Sequence, residues 1–154
     1  MDVESLNLND EVKAFIKEMG YNKQMTAMFL LGTLIGSIGN KQYSNRQGDD
    51  KKEDKPKDNM KPILNKINFN GIDKAKIIRL SVDVFNKLRQ EKILKNNEVI
   101  YAEYKKLIDE EIEKWKLNKQ EALFYLLSGY SYQTAKTILN ANKNNENEED
   151  DINE

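Results

Sequence analysis

The sequence predicts an all-α protein, a compact bundle of five to six helices with a disordered charged loop and an acidic tail left outside it. Three observations predict that class. Apolar residues recur three and four positions apart along most of the chain, and no stretch alternates as a half-buried strand would. Side chains suited to cap a helix stand before the periodic segments, at Asn9, Asn22, Asp73, Asn97 and Asn118. The fifteen residues Met25–Gly39, MTAMFLLGTLIGSIG, are apolar on every side of a helix. A surface helix is apolar on one stripe only, so this run belongs at the centre of a bundle.

The elements follow in order. Asn9 or Asp10 caps a short helix through Glu18, which Gly20 stops. Asn22 caps the central helix, which runs to about Tyr43. Its Gly32, Gly36 and Gly39 each cost about 1 kcal/mol of helix propensity relative to alanine, so a close backbone neighbour is the expected return. A short helix follows Pro62 through Ile67. Asn70-Gly71 makes a turn, and Asp73 caps a long helix reaching about Lys92. Asn97 caps the next, Glu98 to Trp115. Asn118 and Glu121 form a capping box opening a last helix to about Ala141.

Between and after these elements lie Gln47–Asn59, QGDDKKEDKPKDN, and the Asn/Glu/Asp tail 142–154. Neither has the apolar residues to offset its ordering entropy, so both are expected to be disordered. One domain, 1–141, and a tail, 142–154, result.

Composition excludes whole classes of chemistry. The chain of 154 residues has no cysteine and no histidine. Disulfides, Cys/His zinc sites, Ser-His-Asp triads and Glu-x-x-His di-iron sites are therefore out. Carboxylates abound, but none are spaced as a metal set, and phosphate-loop and nucleophile-elbow patterns are missing. No enzyme, cofactor or metal is expected. The amino terminus has neither a basic nor an apolar leader region, which makes the cytoplasm the expected compartment. The Met25–Gly39 run falls short of the roughly 20 residues a membrane span needs.

The net charge of −1 hides an uneven distribution. Residues 60–142 carry fifteen basic and ten acidic side chains, whereas 143–154 carry one and six. A basic folded half favours phosphate partners. On the helix Asp73–Lys92 the expected core side is Ile77, Leu80, Val84 and Leu88, and the opposite side holds Lys76, Arg79, Asp83 and Lys87. Asp83 stands four residues from both Arg79 and Lys87, a pairing that an ordinary solvated face also shows. The candidate phosphate contacts are Lys74, Lys76, Arg79, Lys87, Arg89, Lys92 and Lys136, followed by Lys41 and Arg46. Lys95 extends the positive surface.

On the helix Glu98–Trp115 the apolar stripe is Ile100, Tyr104, Leu107, Ile108, Ile112 and Trp115. Glu111 falls within it and needs a partner such as a lysine or a tyrosine hydroxyl. Glu103, Asp109, Glu110 and Glu113 are expected mostly on the outer face. The last helix presents Leu123, Phe124, Leu127, Tyr130, Ala135 and Ile138 as its core set. Tyr125, Gly129, Tyr132 and Lys136 lie on the other side. Tyr125, Gly129 and Tyr132 suit a partner interface, either another helix or another subunit, better than base stacking.

Three stretches carry a family resemblance: FLLGTLIGSIGNKQY (29–43), KPILNKINFNGIDKAKIIRLSVDVFNKLRQ (61–90) and IYAEYKKLIDEEIEKWKLNKQEALFYLLSGYSYQTA (100–135). Together they resemble the carboxy-terminal helical region of the large subunit of the type I-B CRISPR Cascade complex. In that family the region is also made separately from an internal start, as a free small subunit, and a chain beginning at Met1 fits that form. The charged loop and the acidic tail lie outside the family pattern.

The resemblance implies a non-catalytic bundle, present in more than one copy along the belly of the complex. It would brace the crRNA-bearing backbone and line a path for target DNA, particularly the displaced strand, with cleavage left to a recruited helicase-nuclease. The implied partners are the large subunit, the crRNA backbone subunits, further copies of itself and the crRNA–target DNA complex, with no membrane and no small-molecule substrate. The alternative is a helical protein-interaction adaptor with no nucleic-acid role.

Overall fold

The structure, a computed structural model, describes residues 1–48 and 63–152, with side chains described for 1–42 and 63–140. Five α-helices carry it: α1 (Asp10–Met19), α2 (Lys23–Gly48), α3 (Lys74–Gln90), α4 (Glu98–Glu111) and α5 (Lys119–Ile152). Short 3-10 turns sit at Val3–Ser5, Ile63–Lys66, Lys95–Asn97 and Ile112–Lys114, and the described residues contain no strand. The all-α class predicted from the sequence is the class observed. The expected charged loop 47–59 lies outside the described residues from position 49 onward.

Capping sets most boundaries where local chemistry demands. The Val12 amide donates to Asn9 Oδ1 at 2.9 Å and the Met25 amide to Asn22 Oδ1 at 2.9 Å. The Lys76 amide donates to Asp73 Oδ1 at 2.9 Å. At α5 the capping box is reciprocal: the Glu121 amide donates to Asn118 Oδ1 at 2.8 Å, and the Asn118 amide to Glu121 Oε1 at 3.1 Å. Gly20, at φ 69°, ends α1 in the left-handed region, where a side chain would be strained.

Asn97 does something else. It caps nothing, and its side-chain amide donates instead to the Ile93 carbonyl at 2.9 Å, bracing the bend between α3 and α4. Helix α4 stops at Glu111 and tightens into the 3-10 turn, short of Trp115. Helices α2 and α5 run further than Tyr43 and Ala141, to Gly48 and Ile152.

The bundle is built around α2. Ala27, Met28, Phe29, Leu30, Leu31, Leu34, Ile35 and Ile38 have no exposed surface, so every side of this helix is covered. Each fully buried Leu, Ile, Phe or Met contributes about 1.5–3 kcal/mol, which makes α2 the principal source of hydrophobic stabilisation. Its main neighbour is α5, followed by α4 and α3.

Helices α2 and α5 run in the same direction: Phe29 lies beside Gly129, Gly36 beside Gln133, and Asn40 Nδ2 donates to Thr137 Oγ1 at 2.9 Å. Their backbones nearly touch. A methyl group on Gly32 would collide with the Leu126 carbonyl oxygen, and one on Gly129 with the Phe29 carbonyl oxygen. The glycines are therefore packing positions from both sides of one crossing.

That crossing decides which face of α5 is inside. Ala122, Leu126 and Gly129 are buried, while Leu123, Leu127 and Tyr130 are half-buried. Phe124, Ala135 and Ile138, expected in the core, are exposed, with Phe124 at 62% and Ile138 at 60%. The helix has two apolar stripes, and the smaller-residue stripe wins because only it lets α2 approach.

Two further ties hold the bundle. The buried Gln24 side chain accepts from the Lys116 amide at 2.8 Å and donates to the Lys114 carbonyl at 3.1 Å, pinning the α4–α5 connection to the start of α2. Tyr104, fully buried on α4, hydrogen-bonds through its hydroxyl to Ser81 on α3. Burial pushes the Tyr104 hydroxyl pKa far up, and the Tyr21 and Tyr132 hydroxyls are raised by the same cause.

Replacing Gly129 by alanine should lower the unfolding free energy by about 2–3 kcal/mol, because backbone rather than a movable side chain is in the way. Gly39→Ala should be neutral or stabilising by up to about 1 kcal/mol, since its added carbon would stand at an ordinary 3.8 Å from Tyr130. Urea denaturation of the two variants measures the difference. A second expectation concerns alkaline pH. An unfolded tyrosine loses its proton near pH 10 and folded Tyr104 does not, so stability is intact below pH 10 and falls above it. The slope from this residue reaches about 1.4 kcal/mol per pH unit. Tyr104→Phe should flatten that decline in denaturation curves recorded between pH 9 and 11.

Candidate nucleic-acid interface

Helix α3 is the element on which most of the predicted cations stand. Its core side is the expected one: Ile77, Leu80, Val84 and Leu88 are buried. At about 100° per residue, Ala75, Arg79, Val82 and Asn86 stand opposite that side, with Ile78 and Arg89 next to them. Ile78 is 49% and Val82 57% exposed, so apolar side chains stand among the cations on the solvent side of the helix. Lys76, Asp83 and Lys87 lie along one flank, beside the 3-10 turn Ile63–Lys66.

That turn is positioned by α2. The Gln42 side chain accepts from the Ile63 amide at 3.0 Å, and Ile63 is fully buried. Lys66 at the end of the turn lies 3.9 Å from Asp83, so Asp83 is engaged across the flank as well as along its own helix. A cleft of about 230 Å3 opens here, and Lys66, Lys76, Arg79 and Asp83 line it. Three cations and one carboxylate give its lining a net positive charge.

Lys87 is the clear correction to the predicted set. Expected on the solvent side, it is only 4% exposed. Two turns beyond Leu80, it shares that residue's edge of the core. Burial pulls its pKa below the usual lysine value, with the Lys66 charge adding to the effect.

The remaining candidates are placed as follows. Lys74, Arg79, Arg89, Lys92 and Lys41 are exposed, and Lys76 is half-buried. Arg89 stacks its guanidinium 5.8 Å from the centre of the Phe85 ring. Arg79 and Arg89 are ten positions apart, about 15 Å along the axis, so the cations form two groups with the exposed Val82 and Asn86 between them. Lys136 lies on α5, 3.7 Å from Glu11 on α1, in a group separate from α3. The Arg46 side chain lies outside the described residues.

The tyrosine–glycine face of α5 is turned inward. Gly129 sits against the Phe29 backbone. Tyr132 packs at 4.9 Å from Phe15 and 5.4 Å from Phe29, and Tyr125 at 5.3 Å from Tyr21, in one aromatic cluster joining α1, α2 and α5. The partner that these residues suit is thus, at least in the single chain, the chain's own helices.

One group went unrecognised in the sequence. A cleft of about 890 Å3 lies between the end of α3 and α4, with Phe85, Leu94 and Tyr101 forming an apolar floor and Lys95, Lys105 and Lys106 on its rim. Phe85 and Tyr101 are 5.2 Å apart. Asp109 holds Lys105 at 2.9 Å, and Glu110 pairs with Lys23 at 3.4 Å, which occupies two of the rim carboxylates. The signal in the sequence was Phe85 and Tyr101 standing one position off the core stripes of their helices.

Two carboxylates on α4 are buried. Glu111 meets Lys114 at 3.1 Å, the lysine partner expected for it. Glu103, expected outside, is 8% exposed, because it stands one turn before the buried Leu107 on the same side of α4. Among the described residues no three acidic groups come together to hold a metal ion, and no helix is long and apolar enough to cross a membrane.

Residues 1–144 match the family of the C-terminal domain of CRISPR-associated protein TM1802. The chain belongs to this family. No curated protein and no solved structure matches it. Membership in a CRISPR-associated family fits the Cascade-related helical subunit that the three sequence stretches resemble.

The burial difference between two cations on α3 has a direct consequence. Lys87→Glu should cost about 2–4 kcal/mol of stability by placing a carboxylate at a buried position, whereas Arg79→Glu should stay within about 0.5 kcal/mol. Thermal unfolding of the two variants checks the assignment.

Proposed function

We propose that the chain is a non-catalytic structural subunit of a type I-B Cascade effector complex. It braces the crRNA-bearing backbone beside the large subunit and further copies of itself, in the cytoplasm. It contacts target DNA, chiefly the displaced strand, through the cations of α3 and its ends. The observation that carries this reading is the CRISPR-associated family match over residues 1–144.

The chemistry supports it. Lys74, Lys76 and Arg79, joined by Lys66, form one phosphate-attracting group, and Arg89, Lys92 and Lys95 form the other. Such contacts bind backbone without reading sequence, and their strength falls with salt. An unpaired strand also offers bases that stack, and the Phe85–Tyr101 floor between the lysines suits them. No step of this role needs a nucleophile, a general base or a metal. Lys87 and Lys136 are left out of the contact set, the first for its burial and the second for its place beside Glu11.

A second reading has an observation of its own. The exposed Ile78 and Val82 at the centre of α3 are apolar, as an adaptor that grips protein would require.

The test is Arg79→Glu with Arg89→Glu in the assembled complex, assayed on single-stranded and R-loop DNA. Binding should weaken at least ten-fold, and the slope of log affinity against log salt should drop by about two. Unchanged DNA binding, with the complex intact, would overturn the basic-face proposal and leave the adaptor.

A further inference from the structure

The outer face of α5 is the largest feature that the proposed DNA contacts leave unused. Between Ala122 and Asn142 the chain has a single charged residue, Lys136, in a protein that is 33% charged. That lysine is turned toward Glu11 on α1, 3.7 Å away. Opposite the α2 contact, α5 presents Phe124, Ser128, Ser131, Ala135 and Ile138, spaced four, three, four and three. Phe124, Ile138 and Leu139 are 60–62% exposed. The 4-3 spacing is the seam of a helix that packs lengthwise against another helix.

The order of sizes along this seam identifies the other helix. Large residues stand at both ends and small ones in the middle. Phe124 is seven positions before Ser131, and Ile138 is seven after it. Turning a second α5 end for end about Ser131 sets Phe124 against Ile138 at both ends and small residue against small residue at the crossing.

The surroundings obey the same symmetry. Beside Phe124 a groove of about 520 Å3 runs between α1 and α5, lined by Phe15, Phe124, Leu127, Ser128, Ser131 and Tyr132. Leu139 projects on the side of the seam where this groove lies, so a two-fold axis brings the Ile138–Leu139 pair of each copy to the groove of the other. Antiparallel pairing also sets the two helix dipoles in opposition.

We propose that this face is a self-complementary interface through which two copies of the chain pair, α5 against α5, antiparallel about Ser131. The pairing deepens the reading that copies of this chain assemble together and rests on that part of it. DNA contact is not required for it. A two-fold interface has the same patch on both partners, which this antiparallel helix pair satisfies and a head-to-tail stack does not.

The absence of cysteine gives a clean test on the full chain. Ser131→Cys meets its own copy at the axis, so mild oxidation or a short bis-maleimide should link it into a covalent dimer. Linking should be at least ten-fold faster than for Gln90→Cys, an exposed control on α3. Two copies of Phe124→Cys would stand about 21 Å apart and should not link to each other, whereas Phe124→Cys mixed with Ile138→Cys should. In sedimentation runs over a micromolar concentration series the wild type should dimerise. Ile138→Asp should weaken that at least ten-fold, while its circular dichroism, and its thermal midpoint at a concentration too low for pairing, stay unchanged.

A wild type that stays monomeric with Ser131→Cys linking no faster than the control overturns the proposal. So does linking of Phe124→Cys to itself, or association that survives Ile138→Asp. DNA binding by the assembled complex is measured separately, so loss of the pairing and loss of the DNA reading are distinguishable outcomes.

Discussion

The structure depends on one contact, the backbone-to-backbone approach of α2 and α5 at Gly32 and Gly129. Neither helix would choose glycine on propensity, and each placement costs about 1 kcal/mol relative to alanine. The return is a crossing tight enough to seal the most apolar helix of the chain along its length. The consequences spread from there. The crossing draws Phe15, Tyr21, Phe29, Tyr125 and Tyr132 into one aromatic cluster that binds α1 to the pair. It also fixes the rotation of α5, which leaves Phe124, Ile138 and Leu139 at the surface.

The opposite side of α2 governs the cations. Gln42 anchors the turn at Ile63, and the turn lies along the flank of α3 that carries Lys76, Asp83 and Lys87. A flank that would otherwise be a continuous charged row is partly covered. What reaches solvent is a pair of cationic groups, with Ile78 inside the first and Val82 between the two. This surface carries positive charge at two places, with apolar side chains among it. The proposed scaffold, touching strand and subunit at once, has use for both.

Much of the fold was legible in the sequence because its signals are local. A cap oxygen three residues before an amide, a glycine after the last turn and a stripe at helical spacing involve no distant residue. Asn9, Asn22, Asp73 and the Asn118–Glu121 box accordingly fall at the positions read for them. The misplacements are all tertiary. Helix α5 offers two apolar stripes, and the bulkier one looks like the core until the need for close approach to α2 is known. Lys87 sits at a stripe edge, where the covering turn rather than the periodicity decides burial. Asn97 stands where a cap is expected but spends its side chain on the preceding bend. The cleft at Phe85 and Tyr101 needed two helices to exist, and no single-helix pattern encodes it.

The family match and the helical fold support one proposal, that this chain works as a scaffold within a CRISPR effector complex. Affinity purification of a tagged chain from cells carrying its native CRISPR locus tests that claim most directly. The account predicts that other Cascade subunits and a guide RNA co-purify with it in defined ratio. Recovery of the chain with neither, under conditions that preserve the complex when another subunit is tagged, would contradict it.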